Sequence, residues 1–355
     1  ASTGSGADLA ASSVTLGKLQ NIATQRVIAR KTAGSGPPEE VTASEVLDFL
    51  STTPGALLTR GAGSWAAASR VAIHDNDLTL DVATMSAPAA GKVKLAGYTS
   101  AGREMLAYTN DDGRTTELQA FLGRKFTCEM QAMPASNNHD VVGMTTWSST
   151  GSAVAKSITS TSLVSSVRRA GMESNAGGGS VASFRHGVLQ FWRGNDTLRG
   201  GFHALWRFVI DDAVLVATGR TFVGFLGQTT APADADPSTF TNVLGIGNNN
   251  GDTTLQLYAA GAVAQARVDL GANFPANTIN TDLYELALYA PPNGAFVSYT
   301  VIRINTGDTT SGTITNAANL PASTQFLAPH FWRGNGGTAS AVQITYSYFY
   351  GETEV

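Results

Sequence analysis

The strongest constraint on the fold is the pattern of the C-terminal half, from about residue 181 to Val355. Short apolar runs follow one another there, and each is closed by Gly, Asn, Asp or Pro, which favour turns. No fixed period connects the runs, which argues against a propeller or a solenoid. Many short strands separated by turns predict an antiparallel β-sandwich, or jelly roll. The candidate strands are residues 188–192, 201–210, 220–226, 242–246, 255–258, 264–268, 284–289, 296–304, 312–315 and 341–350.

The pentapeptide Phe-Trp-Arg-Gly-Asn occurs twice in this half, at residues 191–195 and 331–335. In one interpretation the aromatic side chains fill the core at two strand ends, and each Gly-Asn pair forms a closing turn. In the other, the two copies form a paired aromatic and arginine surface, because indole stacks on sugar rings and guanidinium donates paired hydrogen bonds. The ligand contacts of this second interpretation are Trp192, Arg193, Asn195, Trp332, Arg333 and Asn335.

The charge of the chain limits its partners. Charged residues make up 14% of the sequence, against roughly 25% in an ordinary soluble domain, which suits faces covered by neighbouring subunits. The last lysine is Lys156 and no basic run is present, so we expect no nucleic-acid binding. No uninterrupted apolar stretch approaches the ~20 residues of a membrane span, so we expect no membrane insertion.

Two further features indicate where the chain is made. The single cysteine, Cys128, excludes an intramolecular disulfide framework and is expected to be a small buried apolar side chain. The first residues, Ala-Ser-Thr-Gly-Ser-Gly, lack the basic and apolar regions of a signal peptide. We therefore expect a soluble chain made in the cytoplasm.

The N-terminal residues predict an anchoring or oligomerisation segment over residues 1–54. Residues 14–30 suit a short helix or an extended arm, and the glycines and prolines of residues 31–38 interrupt regular structure. Thr42 and Glu45 have the spacing of a capping box, which predicts a two-turn helix over residues 43–50.

A connector and a small β unit are expected over residues 55–123, ahead of a C-terminal sandwich domain over residues 124–355. Residues 88–98 alternate as a strand, and residues 105–108 can pair with them across a turn at residues 100–102. The predicted fold class is therefore mainly β, with a short N-terminal arm and helix, a small β unit and a C-terminal antiparallel sandwich.

No catalytic or metal-binding constellation stands out. The paired carboxylates Asp211 and Asp212, and Asp234 with Asp236, lie too close in sequence to face each other across a sugar, and the second pair predicts a turn. Residues 248–252 offer oxygens for calcium, but a turn fits their spacing better. We expect no enzymatic activity, metal or cofactor. The five histidines, which lack metal-ligand spacing, are His74, His139, His186, His203 and His330.

Three stretches resemble proteins of tailed-bacteriophage virions. Residues 26–47 resemble a segment that precedes β-rich fibre modules, and residues 88–124 are similar to a small β unit of tail and fibre proteins. Residues 202–350 resemble the concanavalin-like jelly roll of phage receptor-binding proteins. The sequence segments that carry this last resemblance are residues 217–225, 237–247, 268–275, 284–292 and 313–321.

The resemblance implies a homotrimeric virion fibre or spike. Its N-terminal segment would attach to other virion structural proteins, and its sandwich would contact a host cell-surface glycan. Two alternatives stay open at this point. One is a purely structural head-fibre, decoration or tail protein that contacts only other virion proteins, and the other is a glycan depolymerase with an active site between subunits.

Overall fold

The structure is a computed structural model that divides into two compact units, residues 1–83 and 84–355. The predicted domain boundaries near residues 54 and 123 stay a prediction. Among the described residues, no helix is long and apolar enough to cross a membrane. The residues that the structure describes are 26–29, 31–35, 39–42, 45–46, 56–60, 65–74, 77–80, 86–110, 115–117, 126–132, 139–142, 147–196, 199–263 and 267–353.

The described residues of the first unit form two small antiparallel sheets. Strand β1 (Arg26–Ala29) pairs with β2 (Glu39–Thr42), so the described end of the predicted arm is extended. Strands β3 (Ala56–Arg60), β4 (Trp65–His74) and β5 (Asp77–Leu80) form the second sheet in that order. The connector predicted from residue 55 therefore contains strands, and its role as a connector stays a prediction.

The predicted capping box is present at the end of β2. The Thr42 amide donates to Glu45 Oε2 at 2.7 Å, and the Glu45 amide donates to Thr42 Oγ1 at 3.0 Å. These two reciprocal bonds satisfy donors that a helix start leaves unpaired. Glu45 and Val46 are helical, and the rest of the helix predicted over residues 43–50 lies outside the described residues.

The second unit begins with a small β sheet. It contains β6 (Lys94–Ser100), β7 (Arg103–Thr109) and β8 (Thr115–Glu117). Ala101 and Gly102 form the turn between the first two strands, with φ of 47° and 77°. Two successive positive φ values suit a tight hairpin, because such turns match the twist of the flanking strands. The predicted pairing across residues 100–102 is therefore confirmed.

The rest of the unit is an antiparallel sandwich, and the predicted mainly β fold class is confirmed. The described part of the chain has one sheet of nine strands and one of seven. Strands of the larger sheet are β9 (Phe126–Ala132), β10 (His139–Val142), β12 (Ser152–Lys156), β13 (Arg169–Glu173), β15 (Phe202–Ile210), β20 (Tyr284–Ala290), β21 (Val297–Arg303), β22 (Asp308–Ile314) and β24 (Gln343–Thr353). Strands of the smaller sheet are β11 (Trp147–Thr150), β14 (Val181–His186), β16 (Arg220–Leu226), β17 (Val243–Asn248), β18 (Gln256–Ala260), β19 (Val268–Asp269) and β23 (Ala328–Gly334).

Strand order follows hairpin connections for much of both sheets. The larger sheet runs β10-β9-β24-β15-β20-β21-β22, with β13 also pairing with β24 and β12 pairing with β13. The smaller sheet runs β11-β14-β23-β16-β17-β18-β19. A short helix, α1 (Leu163–Ser166), and two 3-10 turns, Pro237–Thr239 and Ala317–Asn319, lie between strands. Cys128 lies in β9, and its expected burial stays a prediction.

The main core lies between the two sheets and is rich in aromatic side chains. Trp206 and Phe225, from opposite sheets, meet edge to face with ring centroids 4.8 Å apart. Phe191 adds a third ring at 4.8 Å from Phe225. Each fully buried apolar side chain of this kind stabilises the fold by about 1.5–3 kcal/mol. The inward positions alternate with outward ones along each strand, as the period of a β-strand requires.

One predicted strand is wrong. Residues 188–192 form no strand, and only Phe191 makes a β-bridge, to Leu327. The chain turns sharply after Phe191, where Gly194 has a φ of 89°. A Cβ at this position would lie 1.7 Å from the Arg199 carbonyl oxygen, so the two backbone segments approach closely. The run at 264–268 is a strand only at Val268–Asp269, and residues 264–266 lie outside the described residues.

The small β sheet packs on the outer face of the nine-stranded sheet. Arg103 of β7 is buried there, forms an ion pair with Glu352 of β24 and contacts His203 Nδ1 of β15 at 3.2 Å. Burial, and secondarily the nearby Arg103 charge, lower the pKa of His203 to about 3. A neutral imidazole therefore accepts from the guanidinium, and the hairpin is held by a buried polar cluster.

Candidate functional site

A long loop, residues 227–241, covers the outer face of the seven-stranded sheet. Two side chains of β23 hold its first limb. His330 Nε2 donates to the Gln228 carbonyl at 2.8 Å, and Trp332 Nε1 donates to the Pro232 carbonyl at 3.1 Å. Both donors are fully buried, so the loop satisfies hydrogen bonds that the sheet face could not.

The second limb of this loop is held by an aromatic contact. Phe240 meets the rings of Phe222 and Trp332 edge to face, at centroid distances of 5.9 and 5.6 Å. The three rings belong to a second apolar cluster, separate from the main core, on the outer face of the sheet. Its buried members are Phe222, Leu226, Val243, Tyr258, Ala260 and Trp332.

An ion-pair network fixes the tip of the loop. Arg220 Nη1 donates to Asp234 Oδ1 at 3.0 Å, and Arg220 Nε donates to Asp236 Oδ1 at 2.6 Å. Partial burial raises the pKa of Asp236, but the Asn250 amide and the Arg220 guanidinium outweigh burial and lower that pKa below its usual range. The turn was predicted over residues 234–237, and the 3-10 turn of the structure, Pro237–Thr239, begins at the last of these residues.

Between the two limbs lies a groove of about 270 Å³. Gln228 and Thr241 are exposed at its wall, Thr239 is exposed beside them, and the ring of Phe240 is half-buried. Thr239 Oγ1 donates to the Asp236 carbonyl at 2.7 Å, which leaves the oxygen lone pairs to accept. An aromatic ring beside amide and hydroxyl groups is the chemistry that a saccharide requires: an apolar face for C–H groups and partners for hydroxyls.

The second copy of the repeated pentapeptide lies beneath this groove and is internal. Arg333 is fully buried and forms an ion pair with Asp212. Asn335 is fully buried as well, accepts from the Gly179 amide at 2.9 Å and donates to the Gly177 carbonyl at 2.6 Å. Trp332 therefore supports the loop, whereas Arg333 and Asn335 hold other segments of the sandwich, and all three side chains are fully buried.

The first copy is also largely internal. Trp192 stacks on Phe326 with ring centroids 4.8 Å apart and is itself buried. Arg193 Nη1 donates to the Gly294 carbonyl at 2.5 Å, and Nη2 donates to the Pro321 carbonyl at 2.8 Å. Asn195 is exposed.

The two copies do not come together. The first contacts the chain just before β23 through Leu327, whereas the second occupies the far end of that strand. A seven-residue strand spans roughly 20 Å, so the copies lie at opposite ends of the sandwich. The copies therefore form no paired surface. The phenylalanine of each copy, Phe191 or Phe331, lies in the main core, in agreement with the core-filling interpretation. No repeated motif marks the groove in the sequence. The prolines and aspartates of residues 231–237, which indicate a turn, are the sequence feature that could have drawn attention to it.

The carboxylate pairs do not face each other across a cleft. Asp211 and Asp212 are fully buried, the first against Arg169 and the second against Arg333. Within the described ranges, no group of three or more His, Cys, Asp or Glu side chains could hold a metal ion. In residues 248–252, the Asn249 amide donates to Asp252 Oδ2 at 2.8 Å, so the turn uses these oxygens itself.

Comparison with known proteins gives likenesses of structure only. No protein-family model matches the chain, and no curated protein matches its sequence. A protein of unknown function from Shewanella oneidensis MR-1 is similar, with 17% identity and a TM-score of 0.44 over 67% of this chain and 90% of that one. Lectin II from Ulex europaeus has 10% identity and a TM-score of 0.43, over 65% and 99%. Peanut lectin has 11% identity and a TM-score of 0.42, over 64% and 98%. At these identities and TM-scores the likenesses assign neither ligand nor activity.

Proposed function

We propose that the C-terminal sandwich is a non-enzymatic glycan-binding module and that the groove in residues 227–241 is its site. The observation that carries this proposal is the pairing, in one groove, of the half-buried Phe240 ring with the exposed polar side chains of Gln228, Thr239 and Thr241. A sugar ring would lay its C–H face on Phe240 and exchange hydrogen bonds with the amide and hydroxyl groups.

The groove is held in a rigid frame, which lowers the entropic cost of binding. Trp332 and His330 attach the first limb to the sheet, and Arg220 holds both aspartates at the tip. None of these framework groups needs to move for a ligand to enter. In this scheme the sequence-predicted Trp332 positions the groove from below and does not touch the sugar.

The chain as a whole acts, in this proposal, as a homotrimeric fibre or spike protein of a bacteriophage virion. Its N-terminal segment attaches it to other virion proteins, and its sandwich is displayed toward the host cell. The resemblance of residues 26–47 and 88–124 to phage segments and the 14% charged content support this assignment. Light scattering of the purified full chain tests the trimer, since a monomer mass would contradict it.

A purely structural virion role is the second candidate, and one observation favours it. The small β sheet has apolar side chains on its solvent face: Val93 is 65% exposed, Leu95 50% and Leu106 37%. Exposed apolar patches of this kind suit contact with another protein. In that case the sandwich contacts other virion proteins and no glycan.

Binding of the full chain to a glycan array separates the two candidates. We expect the wild-type protein to bind a subset of glycans and Phe240→Ala to abolish that binding. Thr241→Val, which keeps the side-chain shape, should weaken binding roughly tenfold through loss of one hydrogen-bonding hydroxyl. Each variant is checked for folding by its thermal unfolding transition.

The matched control is Phe326→Ala, which removes an exposed aromatic ring that stacks on Trp192, outside the groove. We expect it to leave binding unchanged. Loss of binding in Phe326→Ala but not in Phe240→Ala would move the site to the first copy of the repeat. Absence of binding by a folded wild-type protein would favour the structural role. Release of shortened glycan products would contradict a non-enzymatic function.

A further inference from the structure

The outer face of the seven-stranded sheet contains a buried arginine that has no carboxylate partner. Arg185 of β14 is 9% exposed. It lies in register with His330 of β23 on one side and with Ser148 of β11 on the other. Its Nε donates to the Thr229 carbonyl at 2.8 Å, and its Nη1 donates to Thr150 Oγ1 at 3.1 Å. Both acceptors are uncharged.

Each other buried arginine among the described residues of the second unit has a carboxylate partner or several main-chain acceptors. Arg103, Arg169 and Arg333 each form an ion pair with a buried carboxylate. Arg193 has no carboxylate, but its Nε, Nη1 and Nη2 all donate to main-chain carbonyls. Arg185 has neither form of compensation: no carboxylate pairs with it, its Nη2 donates to no described protein group, and its Nη1 keeps one of its two hydrogens.

The unused donors of this guanidinium require an acceptor, which water or a ligand supplies. Burial lowers the pKa of Arg185, which reports the cost of removing the charge from water. A guanidinium whose Nη1 and Nη2 edge is unused presents two parallel donors, the geometry that a carboxylate accepts in bidentate fashion.

Two neighbouring groups on the same face also lack partners. Ser183 Oγ, two residues before Arg185 on β14, is buried with no hydrogen-bond partner, as is Nδ1 of His330. Because His330 Nε2 donates to a carbonyl, its Nδ1 is the acceptor nitrogen of a neutral ring. Both atoms are buried and reach no surface, so the Arg185 guanidinium is the group that this face offers to a ligand, which suits an acid group.

The site borders the glycan groove through one stretch of chain. Gln228 lines the groove, and the next residue, Thr229, accepts from Arg185 through its carbonyl. We propose that Arg185 binds the carboxylate of an acidic sugar residue, so that the saccharide recognised by this protein contains a uronic-acid or similar carboxylated sugar. This inference rests on the proposed glycan-binding function and names the class of its ligand.

Calorimetric titration of the full chain tests the inference, with glucuronate and its uncharged methyl ester as probes. We expect glucuronate to bind at least tenfold more tightly than the ester, and the difference to disappear in Arg185→Gln. Without ligand, Arg185→Gln should be at least as stable to heat as the wild type, because it removes an uncompensated charge. Arg207→Gln is the matched control, since Arg207 lies on the other sheet, exposed and paired with Glu285, and it should keep the preference.

Equal affinity of the wild type for the acid and the ester would overturn the carboxylate assignment. So would a preference that persists in Arg185→Gln. If neither probe binds, but sulfate raises the unfolding temperature of the wild type and not of Arg185→Gln, the site binds inorganic anions only and the saccharide assignment is wrong. The proposed glycan function has its own test. In each of these cases it would still stand if the wild type binds neutral glycans on the array and Phe240→Ala does not.

Discussion

Asp212 and Arg333 form a fully buried ion pair that joins the two sheets of the sandwich at one end. Asp212 follows β15 of the larger sheet, and Arg333 belongs to β23 of the smaller one. Arg333 Nε donates to Asp212 Oδ1 at 2.8 Å, and the Gln343 amide donates to the same oxygen at 2.7 Å. Arg333 belongs to the same strand as His330 and Trp332, which support the groove.

Removing one partner of this pair should be strongly destabilising. Asp212→Ala leaves the Arg333 guanidinium buried without a carboxylate, and we expect the free energy of unfolding to fall by about 3–5 kcal/mol. Chemical denaturation measures the change. Glu285→Gln is the control, because the charge that it leaves unpaired is Arg207, whose side chain is 45% exposed and remains hydrated, so we expect a loss of about 0–1 kcal/mol. Equal effects of the two substitutions would contradict the structural role of Asp212.

Trp332→Phe tests whether the hydrogen bond that supports the groove from below contributes to binding, because the substitution leaves the exposed residues of the groove unchanged. The substitution keeps an aromatic ring but removes the donor to the Pro232 carbonyl. An orphaned buried acceptor costs about 1–3 kcal/mol, and we expect the sandwich to lose that much stability. Glycan affinity should fall as well, because the first limb of the loop is no longer held. Unchanged affinity would show that the loop keeps its position without this bond.

Two buried histidines should make the fold sensitive to mild acid. Burial lowers the pKa of His203 and of His330 to about 3 each. Because the unfolded imidazoles protonate near pH 6.5 and the folded ones do not, their contribution is fully present above pH 6.5 and is lost as the pH falls toward 3. Between pH 7 and pH 5 we expect a loss of about 4 kcal/mol from the two groups together.

Denaturation at the two pH values measures this loss. His203→Gln should remove about half of the pH dependence while His330 keeps the remainder. A free energy of unfolding that is the same at pH 7 and pH 5 would contradict the prediction.

The small β sheet should depend on Arg103 for its attachment to the sandwich. Arg103→Leu leaves Glu352 buried without its cation, and we expect residues 94–109 to exchange their amide hydrogens faster. The double variant Arg103→Leu, Glu352→Gln should recover part of the protection, because it removes the unpaired charge. Unchanged exchange in the single variant would show that the packing of Met105 and Ala107 is sufficient.

Many of the strands could be predicted from local pattern. The run Arg220–Leu226 was predicted with the bounds that the structure has, because β-branched and aromatic residues there are bounded by turn-forming neighbours. The same reasoning failed at residues 188–192. The aromatic residues there have strand propensity, but the chain at Gly194 has left-handed backbone geometry and approaches Arg199 too closely for a ladder to continue.

The sequence by itself determined the class of the fold: alternating apolar runs, the capping pair Thr42 and Glu45, and the hairpin at residues 100–102 follow from contacts between near neighbours. Only the tertiary structure decided what each polar side chain does. Arg333 and Arg185 both belong to strands of one sheet, yet the first meets Asp212 from a position 121 residues away and the second meets no carboxylate. Burial and pairing depend on which distant strands become neighbours, and no local pattern contains that information.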